Sequence, residues 1–311
     1  MAYQINQEKV SRYSSLEFLA RQVVEGFITG MHKSPFHGFS VEFAEHRLYN
    51  PGESLRDIDW KLYGRTEKMF VKRYEEETNL RCQLVIDQSS SMYFPMKNKP
   101  DINDPDKLIF SVYAAASLIE MMKRQRDAIG LSLFADELRL HTKAKSTVSH
   151  QKLLYKHLED LLLPEQGKLN QKTTTAEALH QIAELSHKRS LVVIFSDMLD
   201  KQAQQEDLFA ALRHLRYNKH EVVLFHVHDA QTEIDLNFEN RPHRFVDMET
   251  GKAIKINPVQ IREAYQKSRE ESKKELMLRC GQYQIDYVDA DINQGYHPVL
   301  LAYLLKRSKM Y

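Results

Sequence analysis

Cysteine is nearly absent. The two present, Cys82 and Cys280, form no C-x-x-C pair, which excludes a disulfide framework and a zinc knuckle and makes a reducing cytosol the expected compartment. Long apolar runs are missing as well. No segment approaches the roughly twenty apolar residues needed to span a bilayer, and Met1-Ala2-Tyr3-Gln4-Ile5-Asn6-Gln7-Glu8-Lys9 holds no apolar core for a signal peptide. Nor does charge of one sign prevail: 44 Lys and Arg stand against 43 Asp and Glu, a formal net charge of +1. No global field therefore draws the chain to nucleic acid or to an acidic membrane. Internal repeats and low-complexity tracts are absent. So are the phosphate-binding G-x-x-x-x-G-K-S/T loop, the acyl-transfer G-x-S-x-G elbow and the zinc-binding H-E-x-x-H helix, so no catalytic motif marks the chain as an enzyme. What remains is an ordinary globular composition, 42% apolar and 28% charged. Its 311 residues suffice for one large α/β domain with an appendage or for two modest domains.

The most informative stretch is Leu84-Val85-Ile86-Asp87-Gln88-Ser89-Ser90-Ser91-Met92. A continuous apolar run reads as a strand buried on both faces, and open α/β sheets bind ligands just beyond the carboxyl ends of such strands. Asp87, Ser89 and Ser91 occupy that end, offering a carboxylate and then hydroxyls at two-residue steps. Hard oxygen donors of this kind suit Mg2+, an octahedral ion with bonds of about 2.0 to 2.1 Å that keeps several waters. Two further stretches complete such a site. Ser190-Leu191-Val192-Val193-Ile194-Phe195-Ser196-Asp197 is a second buried strand ending in a carboxylate, and Lys172-Thr173-Thr174-Thr175-Ala176-Glu177-Ala178-Leu179 is a hydroxyl-rich loop running into a helix. Alone, a D-x-S-x-S turn is common and a strand-terminal Asp is an ordinary helix cap; their combination points to a metal. A phosphoryl-aspartate enzyme would want an acid where Ser89 stands. His226 and His228 share a strand face, with Asp229 following, and a transition metal could use such a pair. In a chain with 14 histidines, however, packing or surface placement is the more ordinary account of them.

The flanking chain supplies the α/β frame. Leu16, Leu19, Ala20, Val23, Val24, Phe27 and Ile28 give the helical spacing over about Ser14 to Met31, and Phe39 to Phe43 alternates as a half-buried strand. Ser54 and Gly64 read as the N-cap and C-cap of a short helix, and Met69 to Tyr74 as a strand. Beyond Asp87, strands at Ala128 to Phe134, Leu191 to Phe195 and Val222 to Val227 alternate with helices, the pattern of right-handed crossovers and a mainly parallel sheet. A proline-containing loop from Tyr93 to Asp106 could lid the site. A hairpin near Glu249-Thr250-Gly251-Lys252, a long charged helix to Cys280, a strand and a closing helix complete the chain.

The order of D-x-S-x-S, threonine loop and strand-terminal Asp resembles the von Willebrand factor A fold, in which these positions form a metal-ion-dependent adhesion site, or MIDAS. The resemblance implies a doubly wound, mainly parallel sheet with helices on both faces over residues 81–311, with a hairpin inserted near 233–257. An N-terminal helix and strand extension covers 1–80. It implies further that Ser89 and Ser91 bind Mg2+ directly, that Thr173 binds directly or through water, and that Asp87 and Asp197 act largely through water. Mn2+ is the expected substitute. Neutral hydroxyls leave the ion electrophilic, so an Asp or Glu of a partner completes its octahedron. Thr174 and Thr175 are alternatives to Thr173, which is preferred because Leu179 then falls where the fold's helix leucine does. Gln171 and Lys172 stand where the fold usually has glycine, and an ammonium there would weaken the ion's affinity or make it depend on the partner.

A narrower resemblance lies upstream. R-x-Y-x-P-G-x-x-x-R-x-I-D-W-x-x-x-x-R-T at Arg47 to Thr66, V-x-R-Y-x-E-E at Val71 to Glu77, an acidic stretch at Asp229 to Leu236 and L-x-x-Y-L-x-x-R at Leu300 to Arg307 are similar to the bacterial family catalogued as domain of unknown function fifty-eight. That family often occurs with MoxR-type AAA+ ATPases, which implies a cytosolic adaptor or co-chaperone that presents client proteins to such a motor. A Mg2+-dependent hydrolase and a metal-free scaffold with a vestigial MIDAS are the alternatives. Arg47, Arg56, Asp59, Trp60, Arg65 and Arg73 read either as an ion-pair network packing this segment or as a docking surface for the partner.

Overall fold

The computed structural model describes residues 15–30, 43–49, 58, 60–74, 80–97, 100–163, 175–198, 205–248 and 251–308. In chain order its elements are α1 (Ser15–Gly30), β1 (Phe43–Leu48), α2 (Trp60–Thr66), β2 (Phe70–Tyr74), β3 (Arg81–Asp87), α3 (Lys107–Arg124), β4 (Ala128–Phe134), β5 (Leu138–His141), α4 (Val148–Leu161), α5 (Thr175–Leu185), β6 (Leu191–Ser196), α6 (Gln205–Tyr217), β7 (Glu221–His228), β8 (His243–Val246), β9 (Ala253–Ile256), α7 (Pro258–Gln282), β10 (Asp286–Asp291) and α8 (Tyr296–Ser308). They fall into two compact units, Phe36–Leu80 and the remainder of the chain.

The larger unit is built on a six-stranded sheet of order β5-β4-β3-β6-β7-β10. Every neighbouring pair is parallel except β4 and β5. Parallel strands joined by crossovers are covered on both faces, and β3, β6 and β7 are accordingly buried over almost their whole length. One face carries Val85, Val192, Ile194, Val222 and Leu224, packed with Leu179 and Ile182 of α5, Leu208 and Leu212 of α6, and Leu276 and Cys280 of α7. The other face carries Phe225, whose ring meets Tyr303 of α8 edge-on at 5.4 Å. Helix α3 is buried nearly all round, as its apolar composition predicts. Asp106 caps it, accepting from the Ile109 amide at 2.7 Å. Helix α1 belongs to this unit, and Glu17 pairs with Lys123 of α3 at 2.8 Å. Strands β8 and β9 form the expected antiparallel hairpin before α7.

In the smaller unit β1 and β2 pair antiparallel, from Leu48 opposite Phe70 to Phe43 opposite Tyr74. Of the strand expected over residues 39–43, residues 39–42 lie outside the described part, and Phe43 opens β1. Helix α2 also runs past Gly64, its expected C-cap. Thr66 Oγ1 donates to the Leu62 carbonyl at 2.9 Å, and the helix ends at Glu67, whose φ is 55°. Gly64 therefore does not end the helix, and Ser54, the expected N-cap, lies outside the described residues.

Gly130 in β4 is required by packing rather than by a turn. A Cβ there would stand 2.3 Å from Gln83 Oε1 and 2.5 Å from the Thr142 carbonyl, while Gln83 Nε2 donates to Ser132 Oγ at 2.8 Å. Gly130→Ala should therefore lower stability by about 1 to 3 kcal/mol through overpacking, read as a lower urea midpoint at unchanged slope.

Candidate functional site

Strands β3 and β6 are adjacent and parallel, and the sheet order runs from them in opposite directions, β3 towards β4 and β6 towards β7. At such a reversal, beyond the carboxyl ends of the strands, open α/β sheets bind ligands. Asp87 is the last residue of β3 and Asp197 follows β6 directly. Both are buried.

The chain beyond β3 turns back on Asp87. The Ser89 amide donates to Asp87 Oδ1 at 2.8 Å, and Ser196 Oγ donates to Asp87 Oδ2 at 2.6 Å. A 3-10 turn over Ser90–Tyr93 then carries Ser91 round until its Oγ lies 3.0 Å from Ser89 Oγ. Four of the five residues expected at the site, Asp87, Ser89, Ser91 and Asp197, are thus gathered at one place. Thr173, with Lys172, lies outside the described residues; Thr175, its alternative, is buried at the start of α5. Burial, and after it the charge of Asp197, pushes the Asp87 carboxyl up to about 7, against the lowering effect of the bonds from Ser196 and Ser89.

Three contributors escaped the sequence. Ser196 was read as part of an apolar strand, yet it joins β6 to Asp87. Lys107 opens α3 with its side chain fully buried, and its Nζ lies 2.8 Å from Asp197 Oδ2 and 2.6 Å from Glu233 Oε1. Burial disfavours the ammonium, but the two carboxylates outweigh it and raise the Lys107 pKa above its usual value. Glu233 follows β7 in a π-helical turn, Ala230–Ile234, where its Oε2 accepts from the Asp229 amide at 2.8 Å. One sequence signal for Lys107 existed: a cation in the first turn of a helix opposes the macrodipole, and this one sits in an otherwise apolar helix. Glu233 could have been suspected from the acidic stretch after β7. His226 closes the site from below, its Nε2–H donating to the Asp197 carbonyl at 3.1 Å.

The other expected surface lies in the smaller unit. Arg47 is on β1 opposite Val71, and Arg73 is on β2 opposite Glu45. Trp60 is exposed, its ring edge-on to Tyr63 at 6.1 Å, and Arg65 is exposed further along α2. Arg56 and Asp59 lie outside the described residues.

Proteins from Mycobacterium bovis and Mycobacterium tuberculosis, both described as uncharacterized, are 25% identical to this chain over 187 residues, which is 60% of this chain and 56% of theirs. The chain thus spans little more than half the length of these relatives. Among solved structures it is similar to the conserved hypothetical protein BatB of Bacteroides thetaiotaomicron, at 14% identity and a TM-score of 0.43 over 74% of this chain and 99% of that one. It is similar also to an aerotolerance-related membrane protein of Bacteroides fragilis, at 15% identity and a TM-score of 0.43 over 75% and 100% of the two chains. An uncharacterized membrane spanning protein of Vibrio fischeri matches at 16% identity and a TM-score of 0.26 over 72% and 96%. The cytosolic placement expected from composition is corrected by these descriptions, two of which name membrane proteins. Composition reports the surface and core of a folded domain, and these are the same whether the domain is free or tethered. No described helix is long and apolar enough to cross a membrane. The family model described as protein of unknown function DUF58 matches residues 45–275, and the chain belongs to that family.

Proposed function

We propose that the larger unit is a von Willebrand factor A-like interaction module that binds a carboxylate of a protein partner through Mg2+ at a MIDAS. The observation that carries this reading is the meeting of Asp87, Ser89 and Ser91 with Asp197 beyond adjacent parallel strands, at the point where strand order reverses. The donor set suits the ion. Ser89 and Ser91 Oγ lie 3.0 Å apart, the separation of neighbouring ligands in an octahedron with bonds of about 2.1 Å. Ser89 and Ser91, with the hydroxyl of Thr173, would hold the ion, while Asp87 and Asp197 act through water. Bound there, Mg2+ or Mn2+ supplies an electrophilic position for the partner's Asp or Glu. The chain's own residues prepare it: Asp87 fixes the Ser89 amide and ties β6 to β3 through Ser196, and Lys107 holds Asp197 against the repulsion of a neighbouring acid. The role is one of binding rather than catalysis, that of an adaptor or co-chaperone for a MoxR-type AAA+ ATPase and its clients.

A metal-free scaffold is the second reading, and one observation favours it. Lys107 already places a cation 2.8 Å from Asp197 and 2.6 Å from Glu233, so these carboxylates are partly neutralised without an ion.

An ion that binds only the native state stabilises it by about 2.7 kcal/mol at a hundredfold excess over its dissociation constant. Thermal unfolding of the wild type, Ser89→Ala and Asp87→Asn against Mg2+ and chelator should show that gain in the wild type alone, and partner capture should fail in chelator. No response in the wild type sinks the metal reading in favour of the scaffold. Lys107→Met should cost about 3 to 5 kcal/mol, because it strands the acids it paired, and Mg2+ should stabilise this variant more than the wild type. Urea unfolding with and without Mg2+ measures both effects, and an equal Mg2+ gain in the two proteins would show that Lys107 and the ion do not share a task.

A further inference from the structure

Strands β7 and β10 carry a second cluster of ligand-type side chains. His226 and His228 stand two residues apart on β7 and so project from the same face, and Asp289 on β10 is the register partner of His226. One ligand atom from each of the three lies within 4.8 Å of the others. The third member is Asp289, from the neighbouring strand, and not Asp229, which follows in sequence. Asp229 is committed elsewhere, accepting from Thr232 Oγ1 at 2.6 Å and Asn293 Nδ2 at 2.7 Å.

The surroundings set the tautomer of each ring. A carbonyl only accepts, so His226 Nε2, 3.1 Å from the Asp197 carbonyl, carries the proton. Its Nδ1 then holds a lone pair, on which the Tyr287 hydroxyl donates at 2.9 Å. His228 is set by the same logic, its Nδ1–H donating to the His226 carbonyl at 3.2 Å and Nε2 keeping the lone pair. Metal-ligating histidines are oriented in this way, one ring N–H held by a carbonyl and the other nitrogen turned to the ion. Asp289 is anchored from outside: Lys273 Nζ lies 2.6 Å from Oδ2, and Oδ1 faces His228 Nδ1 at 3.5 Å.

We propose that His226, His228 and Asp289 form a binding site for a divalent first-row transition ion, of the two-histidine, one-carboxylate kind. Two imidazoles favour Zn2+, Co2+ or Fe2+ over Mg2+, which prefers an all-oxygen shell. Three protein ligands leave the ion open positions. Both histidines are buried while the Asp289 side chain is 47% exposed, so the ion enters from the β10 side, and the Tyr287 hydroxyl gives up its place on His226 Nδ1. The site shares no ligand with the proposed Mg2+ position. They touch through the hydrogen bond from His226 Nε2 to the Asp197 carbonyl, so occupancy of one site bears on the backbone that carries the other's carboxylate.

Co2+ is the probe, because its visible ligand-field absorption reports imidazole and carboxylate coordination directly. The full chain, titrated with Co2+, should bind one ion with new visible bands that excess Mg2+ does not displace and Zn2+ does. His228→Asn and Asp289→Asn should each weaken binding by at least about tenfold, whereas Asp87→Asn should leave it unchanged. Asp289 is half-exposed, so its variant keeps the fold, and far-UV dichroism checks this. Absence of bands in the wild type, or undiminished binding in Asp289→Asn, overturns the site. Loss in Asp87→Asn alone assigns the ion to the other position and overturns it equally.

Discussion

Lys107 is fully buried, and its ammonium lies 2.8 Å from Asp197 and 2.6 Å from Glu233. It ties three elements at one point: the first turn of α3, the end of β6 and the π-helical turn that follows β7. Two carboxylates and one ammonium this deeply placed are stable only as a set, since each charge is costly to bury alone. The Phe94 ring, 5.8 Å from Nζ, and the Phe94 carbonyl, which accepts from the Lys107 amide at 3.1 Å, bring the loop before α3 into the same arrangement. The carboxyl edge of the sheet is therefore organised around this cation, and ligand chemistry there begins from a site partly neutralised by the protein itself.

Asp87 is held differently. Hydrogen bonds from the Ser89 amide and the Ser196 hydroxyl occupy both its oxygens, and burial beside Asp197 raises it to about 7. Its function within the fold is to join the two strands at the reversal of order and to set the Ser89–Ser91 turn. The serine hydroxyls of this turn, 3.0 Å apart, are the groups on which the binding reading rests, with the acids as supports. Immediately beneath, His226 links the Asp197 backbone to β10. The carboxyl ends of β3, β6, β7 and β10 thus form one connected polar layer above an apolar sheet.

Much of this was legible in the chain itself. Leu84 to Ile86 and Leu191 to Phe195 are unbroken apolar runs because parallel strands are covered on both faces, so their strand character and the placing of Asp87 and Asp197 at their ends followed directly. The serines at 89 and 91 were legible because two-residue spacing in a short turn keeps them on one side. Elements at the margins were less so. Helix α2 passes through Gly64, since a propensity of at most about 1 kcal/mol is readily overruled by context.

Local pattern thus determined the α/β class, the strand-terminal acids and the serine turn, all of which depend on neighbours within a few residues. Tertiary structure alone decided who meets whom. Lys107 joins Asp197 across 90 positions and Glu233 across 126, and Asp289 meets His226 because β10 is laid beside β7 in one particular register. Long-range partners carry no mark in local sequence, because the energy that selects them arises only when burial strips water from the charge and makes a partner necessary.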